Sequence, residues 1–159
     1  TICLVGSEMC IRDRNDTAEF EISENLTSKI TQEIAIQNIL KITDDSNSDS
    51  SILGVITSAT DGPFTFDSNE QVDEYRFSIS LKILWVDNEN EKNLIEKTFT
   101  GFGNYSINND PSSDGIDNDN DGILDENDDD EFGDSRELAI NIAINKIASD
   151  VVNSILSTW

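Results

Sequence analysis

The 159-residue chain contains no histidine. That removes the commonest general base and the commonest transition-metal ligand. It also rules out a Ser-His-Asp arrangement, plentiful though serine is. Basic residues are scarce: ten Lys and Arg stand against thirty-three Asp and Glu, for a formal charge of −23. This balance excludes a nucleic-acid partner, because phosphate binding is driven by Lys and Arg that neutralise the backbone. No apolar run is long enough to span a bilayer. Apolar residues make up 36% of the chain, low for a globular protein, but the deficit is local. Between Asp110 and Asp134 the chain carries twelve acidic side chains and no basic one. A long polar insertion dilutes what is, by length, one ordinary domain with one core.

Cysteine is almost absent too, with Cys3 and Cys10 both in the first ten residues. The short apolar start and the cysteine imitate a lipoprotein signal, but poorly. No basic region leads it, and Glu8 and Met9 stand just before Cys10. The run from Cys3 to Arg14 instead resembles translated sequencing-adapter read-through, of the kind found at the ends of metagenomic gene fragments. On that reading residues 1–14 are adapter-derived and dispensable for the fold. Both cysteines are then foreign and say nothing about redox compartment. The expected native domain is 15–159, with an acidic insertion at about 108–134.

What is present is patterned. From Val72 to Val86, Tyr75, Phe77, Ile79, Leu81, Ile83 and Trp85 alternate with Glu74, Arg76, Ser78, Ser80 and Lys82. Successive side chains of a strand point to opposite faces, so this is a long strand with one buried and one wetted side. Asp87 to Asn93 is turn-rich, and Leu94 to Tyr105 reads as the antiparallel return strand. From about Glu19 to Asn38 the spacing is helical, with Ile22, Leu26, Ile30, Ile34 and Gln37 on one stripe; Ser23 or Asp16 could cap it. Leu40 to Thr43 is a short strand. Ile52 to Ala59 is another, with Gly54 marking close packing or a bulge. Asp61-Gly62-Pro63 reads as a turn. A closing helix starts near Ser135, where Ile140, Ile144, Ile147, Val151, Ile155 and Trp159 form one apolar stripe. A one-faced sheet and striped helices are complementary. The expected fold is α+β, a two-layer sandwich of two helices packed on one face of a mixed β-sheet.

In this order the chain resembles the LptE-type lipopolysaccharide-assembly lipoproteins of the outer membrane. Four pieces carry the likeness: Asn15-Asp16-Thr17 leading to Leu26-Thr27; Ile52-Leu53-Gly54-Val55-Ile56; Glu74-Tyr75-Arg76 through Trp85-Val86-Asp87; and Ala148-Ser149-Asp150-Val151-Val152 through Trp159. The resemblance implies the sandwich fold and no enzymatic activity. It implies a lipidated cysteine, here upstream of the fragment, holding the protein to the periplasmic face of the outer membrane. It further implies a partner, the outer-membrane β-barrel translocon that inserts lipopolysaccharide, which these proteins bind and plug. The first strand of the family's sheet would fall in the adapter-like segment, and on that reading it is absent from this chain. Arg76 and Lys82, on the polar strand face, become candidate contacts for glycolipid phosphates. The plainer alternative makes them solubilising charges on an open sheet.

The acidic insertion is not a hallmark of that family. Within it Asp117, Asp119, Asp121, Asp125 and Asp128 occupy positions one, three, five, nine and twelve of a calcium-loop spacing. Gly122 stands at the sharp turn, and Ile123 would offer its backbone carbonyl at position seven. Calcium needs six to eight hard oxygen ligands, which alternate residues of a tight loop can aim at one centre. Without amphipathic flanking helices the stretch resembles thrombospondin type 3 and dockerin-like repeats more than an EF-hand. The competing reading is a solvated acidic loop. Two other functional classes therefore stay open. One is a calcium-stabilised surface or adhesive module. The other is a different periplasmic α/β lipoprotein, such as an activator of cell-wall synthases.

Overall fold

The computed structural model describes residues 8–15, 20–38, 40–43, 48–106 and 135–158. Its elements in chain order are β1 (Glu8–Asn15), α1 (Phe20–Gln37), β2 (Lys41–Ile42), β3 (Ser50–Phe66), β4 (Val72–Asp87), β5 (Lys92–Tyr105) and α2 (Ser135–Thr158). The strands form one mixed sheet in the order β2-β1-β3-β4-β5. β1 runs parallel to β2 and β3, while β3, β4 and β5 form an antiparallel meander. Both helices cover one face, so the expected α+β sandwich is the fold.

The core is the odd face of β4 and what the register sets beside it. Ile52, Trp85 and Ile95 lie in one row, and Ile56, Leu81 and Phe99 in another. All six are buried, as are Phe77, Ile79 and Ile83. α1 lays Ile22, Leu26, Ile30 and Ile34 on this face and ends at Asn38, whose φ of 53° is the left-handed step that often stops a helix. Gln37, assigned to the same stripe, is exposed, and Ser23 lies inside the helix and does not cap it. Gly54 is packed beneath α1 with Leu26 and Ile30. The bulge comes later, between Ile56 and Ser58. α2 buries a wider arc than the isoleucine stripe alone, adding Leu138, Ala139, Ala143, Ala148 and Val152, while Ile140 is only partly covered. Trp159 lies outside the described residues.

Two small-residue pairs set how closely α2 approaches. Gly101 and Gly103 of β5 lie opposite Ile79 and Phe77 and directly under α2. A methyl group on Gly103 would collide with the Ala139 carbonyl oxygen and lie 2.7 Å from Ala139 Cα; one on Gly101 would strike the Ala143 carbonyl oxygen and lie 2.8 Å from Ile147 Cγ1. Glycine is needed here for space.

Two expectations meet the structure differently. Asp61-Gly62-Pro63 makes no turn: β3 runs through it, with Pro63 opposite Tyr75, and the chain reverses at 67–71. The proline is tolerated because β1 leaves β3 at Ile56. Beyond that point β3 is an edge among the described strands, where a missing N–H breaks no ladder. The first strand is also present: Glu8–Asn15, all but its last residue within the adapter-like segment, forms β1 between β2 and β3. A ladder is built from backbone groups, so unusual side-chain wording does not prevent it. The Gly101 and Gly103 contacts give the first prediction. Gly103→Ala should cost about 1–3 kcal/mol in urea unfolding, the scale of overpacking. Gly62→Ala, with nothing within 4 Å of the added methyl, should stay within about 0.5 kcal/mol of wild type.

Candidate functional site

With both helices on one side, the even-numbered face of β4 is left open among the described residues. Ser78, Ser80, Thr98 and Thr100 give it a hydroxyl surface, with Ser80 Oγ and Thr100 Oγ1 3.4 Å apart and Thr57 Oγ1 donating to the Ser80 carbonyl at 3.2 Å. At one end stands Arg76. Its guanidinium carbon lies 3.4 Å from the Phe64 ring centre and 4.1 Å from that of Phe102, and its Nε donates to Asn104 Oδ1 at 2.8 Å. Stacking between two aromatic faces is a favourable place for this planar, weakly hydrated cation. Both rings remain about half exposed, Phe64 at 42% and Phe102 at 48%.

Lys82 shares the strand face but not the site. Six residues along a strand separate it from Arg76 by roughly 20 Å. Its Nζ pairs with Glu96 Oε1 at 2.8 Å. That bond and the nearby positive charge hold the Glu96 carboxyl below its ordinary range. The two proposed lipid contacts are thus on one face but too far apart to clamp a single phosphate, and each has a partner within the protein. Lys97, whose face the alternation leaves unassigned, points to the helix side opposite Ile83, with Nζ 5.0 Å from the Phe99 ring centre.

A second polar cluster closes the helix side at the same end. Asp61 accepts from Tyr105 Oη at 2.9 Å and from Arg136 Nε at 2.6 Å. Tyr105 stacks on Tyr75 at 5.6 Å, and Arg136 lies over the Phe77 ring at 5.1 Å. The cluster ties β3 and β5 to the first turn of α2. Burial, then the Asp61 carboxylate, pushes the Tyr105 hydroxyl up to about 12. Nearby, Ser135 Oγ donates to the Ser106 carbonyl at 3.1 Å. The insertion therefore leaves and re-enters the fold at one closed junction, which is how a long insertion can be carried without disturbing the core.

The calcium-loop positions Asp117, Asp119, Asp121, Ile123, Asp125 and Asp128 lie outside the described residues. Among the described residues no group of three or more acidic or cysteine side chains is arranged to hold a metal. No described helix is long and apolar enough to cross a membrane. Sequence reasoning named Arg76 but not its rings or Asn104. The signal was the turn centred near Asn90, whose register sets Arg76 opposite Asn104.

A family model for lipopolysaccharide assembly, LptE, matches residues 8–158. No curated protein matches the chain. Rare lipoprotein B from Shewanella oneidensis superposes with a TM-score of 0.54 at 13% identity, covering 94% of this chain and 94% of that one. A minor lipoprotein from Acinetobacter baumannii gives 0.53 at 10% identity, over 94% and 90%. At such identities these two likenesses concern the fold.

The raised Tyr105 makes a pH prediction with a definite sign. The unfolded phenol ionises near 10. Its bond to Asp61 therefore stabilises fully below that pH and is lost as pH climbs from about 10 towards 12. Tyr105→Phe should cost about 1 kcal/mol in urea unfolding at pH 8 and less at pH 11. An equal cost at both values would show that the proton is not what matters.

Proposed function

The chain belongs to the LptE family of lipopolysaccharide-assembly proteins, and from that membership we propose that it is a non-enzymatic assembly factor that binds and plugs the outer-membrane β-barrel translocon. The match over residues 8–158 carries this reading, since it spans every described helix and strand. The architecture suits the task. The lumen of such a barrel is polar, and a plug needs a compact body with wetted surfaces. One sheet face here is hydroxyl-rich and open, and the opposite face is closed by two helices. No histidine is available for acid–base chemistry. The proposed location is the periplasmic side of the outer membrane, through a lipidated cysteine upstream. Lipopolysaccharide phosphate contact falls to Arg76 or Lys82 separately, each exchanging an internal partner for the lipid.

Co-expression with the cognate barrel from the same genome should yield a one-to-one complex that survives detergent extraction. A barrel that matures normally without this protein and never co-purifies with it overturns the assignment.

For the insertion we propose calcium binding by Asp117, Asp119, Asp121, the Ile123 carbonyl, Asp125 and Asp128, supported by the spacing in the sequence. The ion's role there is to order the insertion. Isothermal titration should show calcium binding with a dissociation constant on the order of 10⁻⁴–10⁻³ M, as in extracellular modules. Asp121→Ala should abolish the heat, because it removes a central ligand and leaves the rest repelling one another. Wild-type protein that gives no heat at millimolar calcium contradicts the proposal.

A further inference from the structure

Past the pair Tyr75 and Tyr105 the β3–β4 hairpin continues with no other described strand beside it. β1 leaves β3 at Ile56 and β5 leaves β4 at Tyr75, yet pairing runs on to Phe66 and Val72. The turn that closes this overhang is well bonded. Asp67 Oδ1 accepts from the Asn69 amide at 2.7 Å and the Gln71 amide at 2.9 Å, and the Asp67 N–H reaches the Gln71 carbonyl at 2.8 Å. These bonds hold the Asp67 carboxyl below its ordinary range. On this scaffold Phe66 is 61% exposed and Phe64 42%. Arg76 fixes the Phe64 ring from the sheet side. The same hairpin carries Asp67, Glu70, Asp73 and Glu74, and residues 60–75 contain no Lys or Arg.

We propose that this hairpin tip is the docking element for the barrel, and that it takes a basic protein surface with an apolar notch. The inference rests on the barrel-plug reading. Phe64 and Phe66 would fill the notch, and the four carboxylates would meet Lys and Arg at its rim. Aromatic anchors ringed by polar groups are the anatomy of a binding hot spot. A turn already bonded in place loses little entropy on docking. Charge selects the occupant: an anionic phospholipid or glycolipid surface would be repelled by the carboxylates that attract a basic protein.

The test co-expresses the cognate barrel with wild type, with a Phe64→Ser/Phe66→Ser variant, with a Glu70→Lys/Asp73→Lys variant, and with Lys146→Ala, on the exposed side of α2, as a control. The substituted residues lie outside the buried core, so all four proteins should fold and unfold cooperatively. The serine variant should lose at least about tenfold in recovered barrel, the scale of one hot-spot residue. The charge-reversed variant should also lose, and Lys146→Ala should not. Wild-type recovery from both tip variants overturns the docking element and leaves the barrel reading intact. Failure of wild type itself to recover the barrel overturns both. Flotation of wild type, but not of the serine variant, with equal-mixture phosphatidylethanolamine and phosphatidylglycerol vesicles would make the tip a membrane element and also overturn the proposal.

Discussion

The contact between the β5 glycines and the α2 alanines is what the rest of the structure depends on. Gly101 and Gly103 bring the backbone of α2 down onto the edge strand at Ala143 and Ala139. At that distance Ile144, Ile147, Val151 and Ile155 close over the odd face of β4 and reach the side of α1. Larger residues in β5 would lift the helix and open the layer beneath it, and interiors are packed too tightly to absorb such a shift. The same closeness places Arg136, in the first turn of α2, where it meets Asp61.

Because the helix layer closes one side so completely, the other side of the sheet is free for different work. Its hydroxyl rows, the Phe64–Arg76–Phe102 stack and the projecting hairpin tip all follow from one decision, the odd-inward register of β4. A slip by one residue would exchange the two faces. The chain belongs to a family of lipopolysaccharide assembly, and in the proposed barrel complex this division would set a stable body on the helix side against a wetted face suited to a polar lumen.

Much of this was legible in the sequence. Strict alternation from Tyr75 to Trp85 and the steps of three and four in both helices come directly from burial, so they reported the sandwich faithfully. The glycines of β5 were not legible, because a helix's closest approach is a tertiary distance that leaves no periodic trace in one strand. Asp61-Gly62-Pro63 misled for a related reason. Its composition is that of a turn, but Asp61 is held by Tyr105 and Arg136, and an edge position tolerates Pro63. The Arg76 site was half visible: alternation placed the cation, but its rings come from two other strands and needed the register.

In the proposed complex the hairpin tip meets the barrel while the helix layer serves as the body. Hydrogen–deuterium exchange of the free domain and of its barrel complex tests this most directly. Slower exchange on binding is expected for amides in residues 64–74, with little change along α1 and α2. Protection appearing along the helices, with the 64–74 amides exchanging as in the free protein, would contradict it.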